Sequence, residues 1–230
     1  MLERLDRSFD GQRRFVANAS HELRTPLTLN RTLIEVTLDD PEAPAATRQL
    51  GTTLLAVNQR HERLIDGLLT LASSEQGLGA RERVDLAEVA RHVLGSVDAH
   101  GRAPQIETDL HPAGVNGDPV LLERLVSNLV DNAMRYNLPE AGYVGVRTGV
   151  VDGRAELVVD NTGPLIAGYD IPGLFEPFRR LPDTDRQAGQ GTGLGLSIVK
   201  AVARAHGGQV TAAPRDGGGL SVTVRLPHTL

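Results

Sequence analysis

A histidine and a glutamate stand side by side in the stretch NASHELRTPL, at His21 and Glu22. An imidazole can act as a nucleophile, and a neighbouring carboxylate can hold its neutral tautomer or take its proton during attack. Thr25 follows four residues after His21, so its hydroxyl can reach the same face of a helix. Pro26 clashes with the carbonyl of Glu22, which places a kink one turn after the histidine. The stretch predicts an exposed nucleophilic histidine, with an ordinary solvated histidine as the alternative.

A second set of polar side chains lies along a helix that the sequence predicts from Asp118 to Tyr136. Asp118 followed by proline is a good helix start. Asn128, Asn132 and Arg135 follow at spacings of four and three, so they form one row beside the apolar stripe. Exposed asparagines on a helix are usually only solvated. Two amides in register with a guanidinium, and with Tyr136 next, suit an oxygen-ligated Mg²⁺ and a phosphate chain.

Glycines lead into the last predicted helix, which runs from Thr192 to Ala205. Gly191, Gly193 and Gly195 let backbone N–H groups approach phosphate oxygens at the positive end of that helix. The pattern is weak alone, and a dinucleotide fingerprint would need a strand before it, whereas here a polar loop comes first. A Rossmann site is therefore not expected. The histidine and glycine that follow the helix predict an ordinary C-terminus with a cation in the last turn.

Two long helices are predicted to precede these glycine and asparagine motifs. One apolar stripe is formed by Val16, Ala19, Leu23, Leu27, Ile34 and Leu38, and a heptad seam by Leu50, Leu54, Val57, His61, Leu64, Leu68 and Leu71. The stretch DDPEAPA, Asp39 to Ala45, breaks the helix and turns the chain. A single helical hairpin cannot cover apolar rows on both helices, so the seam predicts a dimer that forms a four-helix bundle.

The composition changes between Ser73 and Asp85, and we place the domain boundary there, between residues 76 and 77. Beyond it, helix patterns cover Asp85 to Val97, Asp118 to Tyr136 and Thr192 to Ala205, and strand patterns cover Gln105 to Leu110, Tyr143 to Val150, Arg154 to Asp160, Gln209 to Ala213 and Leu220 to Leu226. The Asp-Gly in VDGR predicts a hairpin. Antiparallel strands with interspersed helices predict a two-layer α+β domain, with Leu122, Leu125, Val126, Leu129 and Ala133 as the buried stripe of its middle helix.

Composition excludes several classes of protein. The 230 residues have a formal net charge of −5, which argues against a nucleic-acid surface. The absence of cysteine excludes disulfides and thiolate metal sites. No apolar run approaches the roughly 18 residues that span a bilayer, so we expect the chain as given to be soluble.

Together these stretches resemble the cytoplasmic kinase core of bacterial two-component sensor histidine kinases. FVANASHELRTPL resembles the phosphoacceptor H box, LVSNLVDNAMRY the N box, VVDNTGPLI the G1 box, LFEPFRR the F box and GTGLGLSIVKAVARAHGG the G2 box. The five boxes occur in the family's order. The resemblance implies a helical hairpin (residues 1–76) for dimerisation and phosphotransfer, followed by a two-layer α/β sandwich (residues 77–230) of the histidine kinase/Hsp90-like type that binds ATP.

The resemblance also implies roles for single residues. His21 would be phosphorylated, Glu22 would be its acid or base partner, and Thr25 would serve in dephosphorylating a partner protein. Asn132 would bind Mg²⁺. The residues that would contact ATP are Asn128, Asn132, Arg135, Tyr136, Asn161, Gly163, Arg180, Gly191, Gly193, Leu194 and Gly195. Arg180 is a candidate γ-phosphate contact, and residues 179–190 would form a mobile lid.

Two positions depart from the family's pattern. The G1 box usually has an aspartate that accepts the adenine amino group, and here Asn161 occupies that position. Asp160 is one residue early, and in a strand it points to the opposite face. We therefore assign Asn161, whose amide oxygen can still accept, directly or through a water. Arg135 stands where the family usually has lysine, which keeps the charge and changes its geometry.

The implied activity is ATP-dependent autophosphorylation of His21, followed by phosphoryl transfer to an aspartate of a response regulator. A phosphatase activity toward that regulator, and transfer within or between protomers, are left open. The implied cofactors are ATP and Mg²⁺, and the partners are a second copy of the chain and the regulator's receiver domain. We expect a cytoplasmic core in a full-length protein that an N-terminal sensor associates with a membrane.

The alternatives are a scaffold that only binds ATP or dimerises, and an ATPase of the wider fold family. Loss of His21, Asn132 or the glycines would have favoured a scaffold, and a kinked histidine helix has no use in an ATPase.

Overall fold

The computed structural model describes residues 23, 25–75, 81–97, 104–179 and 192–229. The chain divides into a helical unit within Met1–Gln76 and an α/β unit formed by Gly77–Gly189 and Gly193–Leu230. Within the described residues, no helix combines the length and the hydrophobicity that crossing a membrane requires.

The helical unit is a hairpin, as the sequence predicts. Helix α1 covers described residues 23 and 25–39, and α2 runs from Ala45 to Glu75. The two helices approach closely at Gly51, where a Cβ atom would lie 2.8 Å from the Leu38 side chain. Asn58 is buried on α2 and donates through Nδ2 to the carbonyl of Leu27 on α1, at 3.0 Å. Gly51 thus allows the two helices to approach closely, and the buried Asn58 amide links them.

Both helices leave apolar side chains exposed. On α2, the heptad positions Leu50, Leu54, Val57 and Leu68 are exposed. On α1, the stripe residues Leu27, Ile34 and Leu38 are half-buried, whereas Leu29, Leu33 and Val36 form a second, exposed row. The predicted stripe on α1 was therefore incomplete, because it omitted this outer row. Of its other members, Leu23 is 45% exposed, and Val16 and Ala19 lie outside the described residues.

The α/β unit is built on a five-stranded sheet. Its strands are β2 (Gln105–Leu110), β4 (Tyr143–Val151), β5 (Arg154–Asn161), β6 (Gln209–Pro214) and β7 (Leu220–Pro227), in the order β2-β4-β5-β7-β6. Strands β2 and β4 are parallel and the other neighbours are antiparallel. The prediction of an antiparallel sheet was wrong at β2, because local alternation shows that a strand exists and not which direction its neighbour runs.

The β4–β5 hairpin forms at the predicted Asp-Gly. Asp152 and Gly153 have φ values of +50° and +72°, the pair of positive angles that a type I′ turn requires. Two short strands, β1 (Glu82–Asp85) and β3 (Gly114–Gly117), pair with each other, and a 3₁₀ helix covers Gly168–Phe175. None of these three short elements was predicted, because each is too short to show a period.

Three helices form the second layer: α3 (Leu86–Gly95), α4 (Pro119–Arg135) and α5 (Gly195–Ala205). Asp118 caps α4 as predicted, accepting from the backbone N–H groups of Val120 and Leu121. The buried stripe of α4 is also confirmed: Leu122, Leu125, Val126, Leu129 and Ala133 are at most 2% exposed. Because α4 is fixed along its whole length, the polar row on its flank has a defined position.

Candidate functional site

Asn132 on α4 lies directly against the first residue of α5. A Cβ atom at Gly195 would lie 2.8 Å from Asn132 Nδ2 and 3.0 Å from Oδ1, so a larger residue would collide with the amide. The predicted asparagine row and the predicted glycine run therefore meet, although more than 60 residues separate them in the chain. A larger residue at position 195 would displace the Asn132 amide from its present position.

The start of α5 has no side-chain cap. Leu194, the N-cap residue, is 1% exposed, and no side chain accepts a hydrogen bond from the first turn of this described helix. Ser197 does not serve as a cap, because its hydroxyl donates to the Leu194 carbonyl at 2.8 Å. The N–H groups of the first turn, with the positive end of the helix dipole, can therefore bind an anion next to Asn132.

Gly193 connects this helix start to the F-box segment. The N–H of Phe178 donates to the Gly193 carbonyl at 2.9 Å. Gly193 has φ +71°, and a Cβ atom there would lie 2.9 Å from the Phe178 Cα. Gly193 is thus fixed against Phe178 two residues before the start of α5.

A second contact joins the end of α4 to the G1 box. Asn161 is 8% exposed and donates through Nδ2 to the carbonyls of Thr162, at 2.8 Å, and Tyr136, at 3.4 Å. Gly163 covers the same Tyr136 carbonyl, since a Cβ atom at Gly163 would lie 2.5 Å from that oxygen. Three predicted site residues therefore meet at one carbonyl group: Tyr136, Asn161 and Gly163. We call this group the G1 corner.

Asp160 faces the other side of the sheet. Its carboxylate pairs with Arg147 at 2.6 Å, and its side chain is 10% exposed. Asn161 lies in register with the buried Val144 and is on the side of the helices. Asp160 and Asn161 were the two candidates for the predicted contact with adenine, and of these only Asn161 lies beside α4.

The remaining residues of the α4 row differ in their contacts. The Nδ2 of Asn128 donates to the Arg124 carbonyl one turn earlier, at 2.7 Å, which holds its amide against its own helix. Arg135 is half-buried, and no side chain among the described residues pairs with it. Its guanidinium is therefore available to an anionic ligand.

Two further residues, Thr162 and Asn137, lie next to the G1 corner and were not predicted from the sequence. The hydroxyl of Thr162 donates to Asn137 Oδ1 at 2.6 Å and accepts from the N–H of Tyr143 at 2.8 Å. Asn137 Nδ2 donates to the carbonyls of Ala133 and Tyr143, both at 3.0 Å. This network ties α4, β4 and the G1 box together. The local sequence signal for this network was Asn137, an asparagine just after the end of a predicted helix.

Several predicted residues lie outside the described part of the chain: His21, Glu22, Arg180, Gly191 and nearly all of the predicted lid. Thr25 lies on α1 with an exposed side chain. Among the described residues there is no cluster of three or more histidine, cysteine or acidic side chains that could hold a metal ion.

The prediction that His206 is a cation at the end of α5 was wrong, and the basic residue in the last turn of this helix is Arg204. The ring is buried, its Nδ1 lies 2.8 Å from the Val202 carbonyl, and its Nε2 accepts from the N–H of Asp118 at 3.1 Å. An accepting Nε2 requires the neutral imidazole. Burial lowers the pKa of His206 from its ordinary value of 6.5, against smaller raising effects of the Val202 hydrogen bond and the Asp118 charge.

The α/β unit therefore places an uncapped helix start beside the Asn132 amide, in a helix layer on a mixed sheet. Family models match both parts of the chain. Residues 11–77 match the His Kinase A (phospho-acceptor) domain, and residues 117–230 match the histidine kinase-, DNA gyrase B- and HSP90-like ATPase domain.

Individual relatives agree with this class. Sensor protein CutS of Streptomyces coelicolor is 54% identical over 229 residues, which are 99% of this chain and 55% of CutS. The signal transduction histidine-protein kinase/phosphatase MprB of Mycobacterium tuberculosis is 38% identical over 240 residues, 99% of this chain and 47% of MprB. The crystal structure of full-length ShkA in complex with AMPPNP matches with a TM-score of 0.71 and 28% identity, over 94% of this chain and 46% of ShkA.

The chain belongs to the sensor histidine kinases. It spans about half the length of the curated relatives it matches. Its second matched segment is an ATPase-type domain, in agreement with the expectation of ATP as the nucleotide.

Proposed function

We propose that this chain is the catalytic core of a sensor histidine kinase, which transfers the γ-phosphoryl group of ATP to His21. In this proposal, residues 1–76 dimerise and carry His21, and residues 77–230 bind ATP. One observation carries the proposal: Asn132 lies against the uncapped, positive start of α5, where a phosphate chain can bind to backbone N–H groups.

The transfer itself is a displacement at phosphorus. The unprotonated ring nitrogen of His21 attacks the γ-phosphorus, and the bond to the β,γ-bridging oxygen breaks, so that ADP leaves. The proton on the other ring nitrogen passes to Glu22. Arg135 and the first-turn N–H groups of α5 neutralise charge on the phosphates, with Arg180 as the proposed γ-phosphate contact. Asn128, Tyr136, Gly163, Gly191 and Leu194 complete the proposed ATP site.

The residues present also fit a Mg²⁺ ion. Mg²⁺ prefers oxygen ligands and is commonly held by one or two protein groups together with substrate phosphates and water. The amide oxygen of Asn132 can supply the protein ligand. When bound, the ion would neutralise phosphate charge, and Asn132 would fix its position.

The proposed partner for the next step is a receiver domain whose aspartate takes the phosphoryl group from His21. Thr25, exposed on α1, is the proposed residue for the reverse activity, in which it orients a water against the phosphoaspartate. The name of the relative MprB, a kinase/phosphatase, supports including that activity. We further propose homodimerisation through the exposed apolar rows of α1 and α2, and membrane association of the full-length protein.

The proposal is tested by incubating the purified chain with γ-labelled ATP and Mg²⁺. We expect label in the protein that is lost in acid and retained in base, because a phosphoramidate bond on histidine has this stability and a phosphate ester on serine or threonine does not. Label that survives acid, or hydrolysis of ATP with no labelled protein, would overturn the kinase assignment.

A further inference from the structure

We propose that Asn137 and Thr162 are positioning residues for the nucleotide. In this inference, which rests on the proposed ATP site, the hydrogen bond between their side chains fixes the G1 box against the end of α4 before the ligand binds. The two residues act through the spacing of the groups that contact ATP, and are not themselves among the proposed contacts.

The proposed ATP site is divided between two elements of the α/β unit. Asn128 and Asn132 lie on α4, whereas Asn161 is the last residue of β5 and Gly163 follows it. A ligand that contacts both elements binds most tightly when their spacing is already correct, because the cost of ordering them is then not subtracted from the binding free energy. A link between the two elements therefore contributes to nucleotide affinity.

The hydroxyl of Thr162 is such a link. It donates to Oδ1 of Asn137 at 2.6 Å, and Asn137 is the second residue after the end of α4. It also accepts from the N–H of Tyr143, the first residue of β4, at 2.8 Å. Thr162 stands between Asn161 and Gly163 in the chain, so its hydroxyl fixes the segment that joins these two residues of the G1 corner.

The Asn137 amide is held in one orientation by four contacts. Nδ2 donates to the carbonyls of Ala133 and Tyr143, both at 3.0 Å, and Oδ1 accepts from the Thr162 hydroxyl and from the N–H of Leu138, at 2.9 Å. Both amide hydrogens and both lone pairs of the oxygen are thus used. Because a rotated amide would lose these bonds, Asn137 holds the Thr162 hydroxyl at a fixed position relative to α4.

The phosphate side of the proposed site does not depend on this link. Asn132 contacts the start of α5 at Gly195, and Thr162 takes no part in that contact. Loosening the G1 box should therefore weaken ATP binding and leave the transfer step nearly unchanged once ATP is bound. The expected signature is a higher KM for ATP with little change in kcat.

Thr148 provides a matched control. It lies on β4, five residues along the strand from Tyr143, and it is 5% exposed. Its hydroxyl donates to the His111 carbonyl at 2.8 Å. Thr148→Val and Thr162→Val each remove one hydroxyl and keep the shape of the side chain, so both should lower the free energy of unfolding. Of the two, Thr162→Val alone removes a link to the G1 box.

Equilibrium binding of ATP and the kinetics of autophosphorylation test the inference on the intact chain. We expect Thr162→Val to raise both the Kd and the KM for ATP about tenfold, with kcat within about threefold, as the loss of its hydrogen bonds allows. Asn137→Ala removes the other end of the link and should act in the same direction, and the two effects should combine less than additively in the double variant. Thr162→Ser, which keeps the hydroxyl, and Thr148→Val should both bind ATP nearly as tightly as the unchanged chain.

Wild-type ATP affinity in Thr162→Val or in Asn137→Ala would overturn the inference, and so would an equal loss of affinity in Thr148→Val. If one of the two link variants does not fold, the other decides the matter. The predicted changes in Kd without any phosphorylated protein would reject the kinase assignment and keep the inference. Failure of the unchanged chain to bind ATP would reject both.

Discussion

Asn132 lies on the flank of α4 and against the start of α5, and this position defines its proposed role. Its amide is neutral, and a charged group there would change the field around the proposed phosphate chain. We predict that Asn132→Asp lowers kcat/KM for autophosphorylation about 10- to 100-fold, since a hydrogen bond to a charged group contributes about 1.5 to 3 kcal/mol. Asn116→Asp makes the same chemical change at an exposed position of β3 and serves as the control. A wild-type rate in Asn132→Asp would show that the metal ligand lies elsewhere.

Thr25 separates two activities that we assign to one helix. Its hydroxyl can orient a water against a receiver's phosphoaspartate, whereas delivery of the γ-phosphoryl group to His21 does not require it. Thr25→Ala should keep autophosphorylation within a few fold and lose most of any phosphatase activity, corresponding to roughly 1 to 3 kcal/mol. Thr37→Ala, at another exposed threonine of α1, is the matched control. Collapse of autophosphorylation with unchanged dephosphorylation would mean that Thr25 shapes the helix and does no chemistry.

For single residues, the sequence predicted the direction of a side chain correctly where a regular period assigns it to one face of a helix or strand. The alternation of β5 correctly separated Asp160 from Asn161, because adjacent strand residues point to opposite faces. The contact between Thr162 and Asn137 could not be predicted, since it joins positions 25 residues apart through a turn whose geometry the sequence does not specify.

At the scale of elements, α4 and α5 are joined at a second point by His206. Its neutral ring accepts from the N–H of Asp118, at the start of α4. Because its pKa is lowered in the folded state, the unfolded chain binds more protons below about pH 6.5. The contribution of His206 to stability is therefore present above that pH and is lost as the pH falls through the lowered folded pKa, by up to about 1.4 kcal/mol per pH unit.

The corresponding measurement is urea unfolding of the chain and of His206→Gln between pH 8 and pH 5.5. The chain with histidine should be the more stable at pH 8, and the difference between the two should shrink below about pH 6.5. Parallel curves across the range would show that His206 is not held neutral.

The elements that were predicted correctly are those in which a pattern of apolar residues repeats several times, or which have a specific turn sequence. Helix α4 has a capping aspartate and a regular apolar stripe, and the β4–β5 hairpin has an Asp-Gly turn. The 3₁₀ helix at Gly168–Phe175 and the direction of β2 depend on tertiary contacts, which no window of the sequence contains.

At the scale of the whole molecule, the exposed rows on the hairpin connect the fold to the proposed dimer. Leu29, Leu33 and Val36 on α1 are between 58% and 65% exposed, an amount of apolar surface that a helix in water normally covers. His61 is exposed on α2 between the seam positions Val57 and Leu64. We therefore treat His61 as a packing position in the proposed four-helix bundle, and as the natural rival of His21 for phosphorylation.

Phosphorylation of His21 is tested by labelling three proteins with γ-labelled ATP: the unchanged chain, His21→Gln and His61→Leu. We predict that His21→Gln abolishes the acid-labile label while binding an ATP analogue as tightly as the unchanged chain. His61→Leu should retain the label and raise the stability of the dimer, because an apolar residue suits the seam. Acid-labile label that persists in His21→Gln would show that His21 is not the phosphorylated residue.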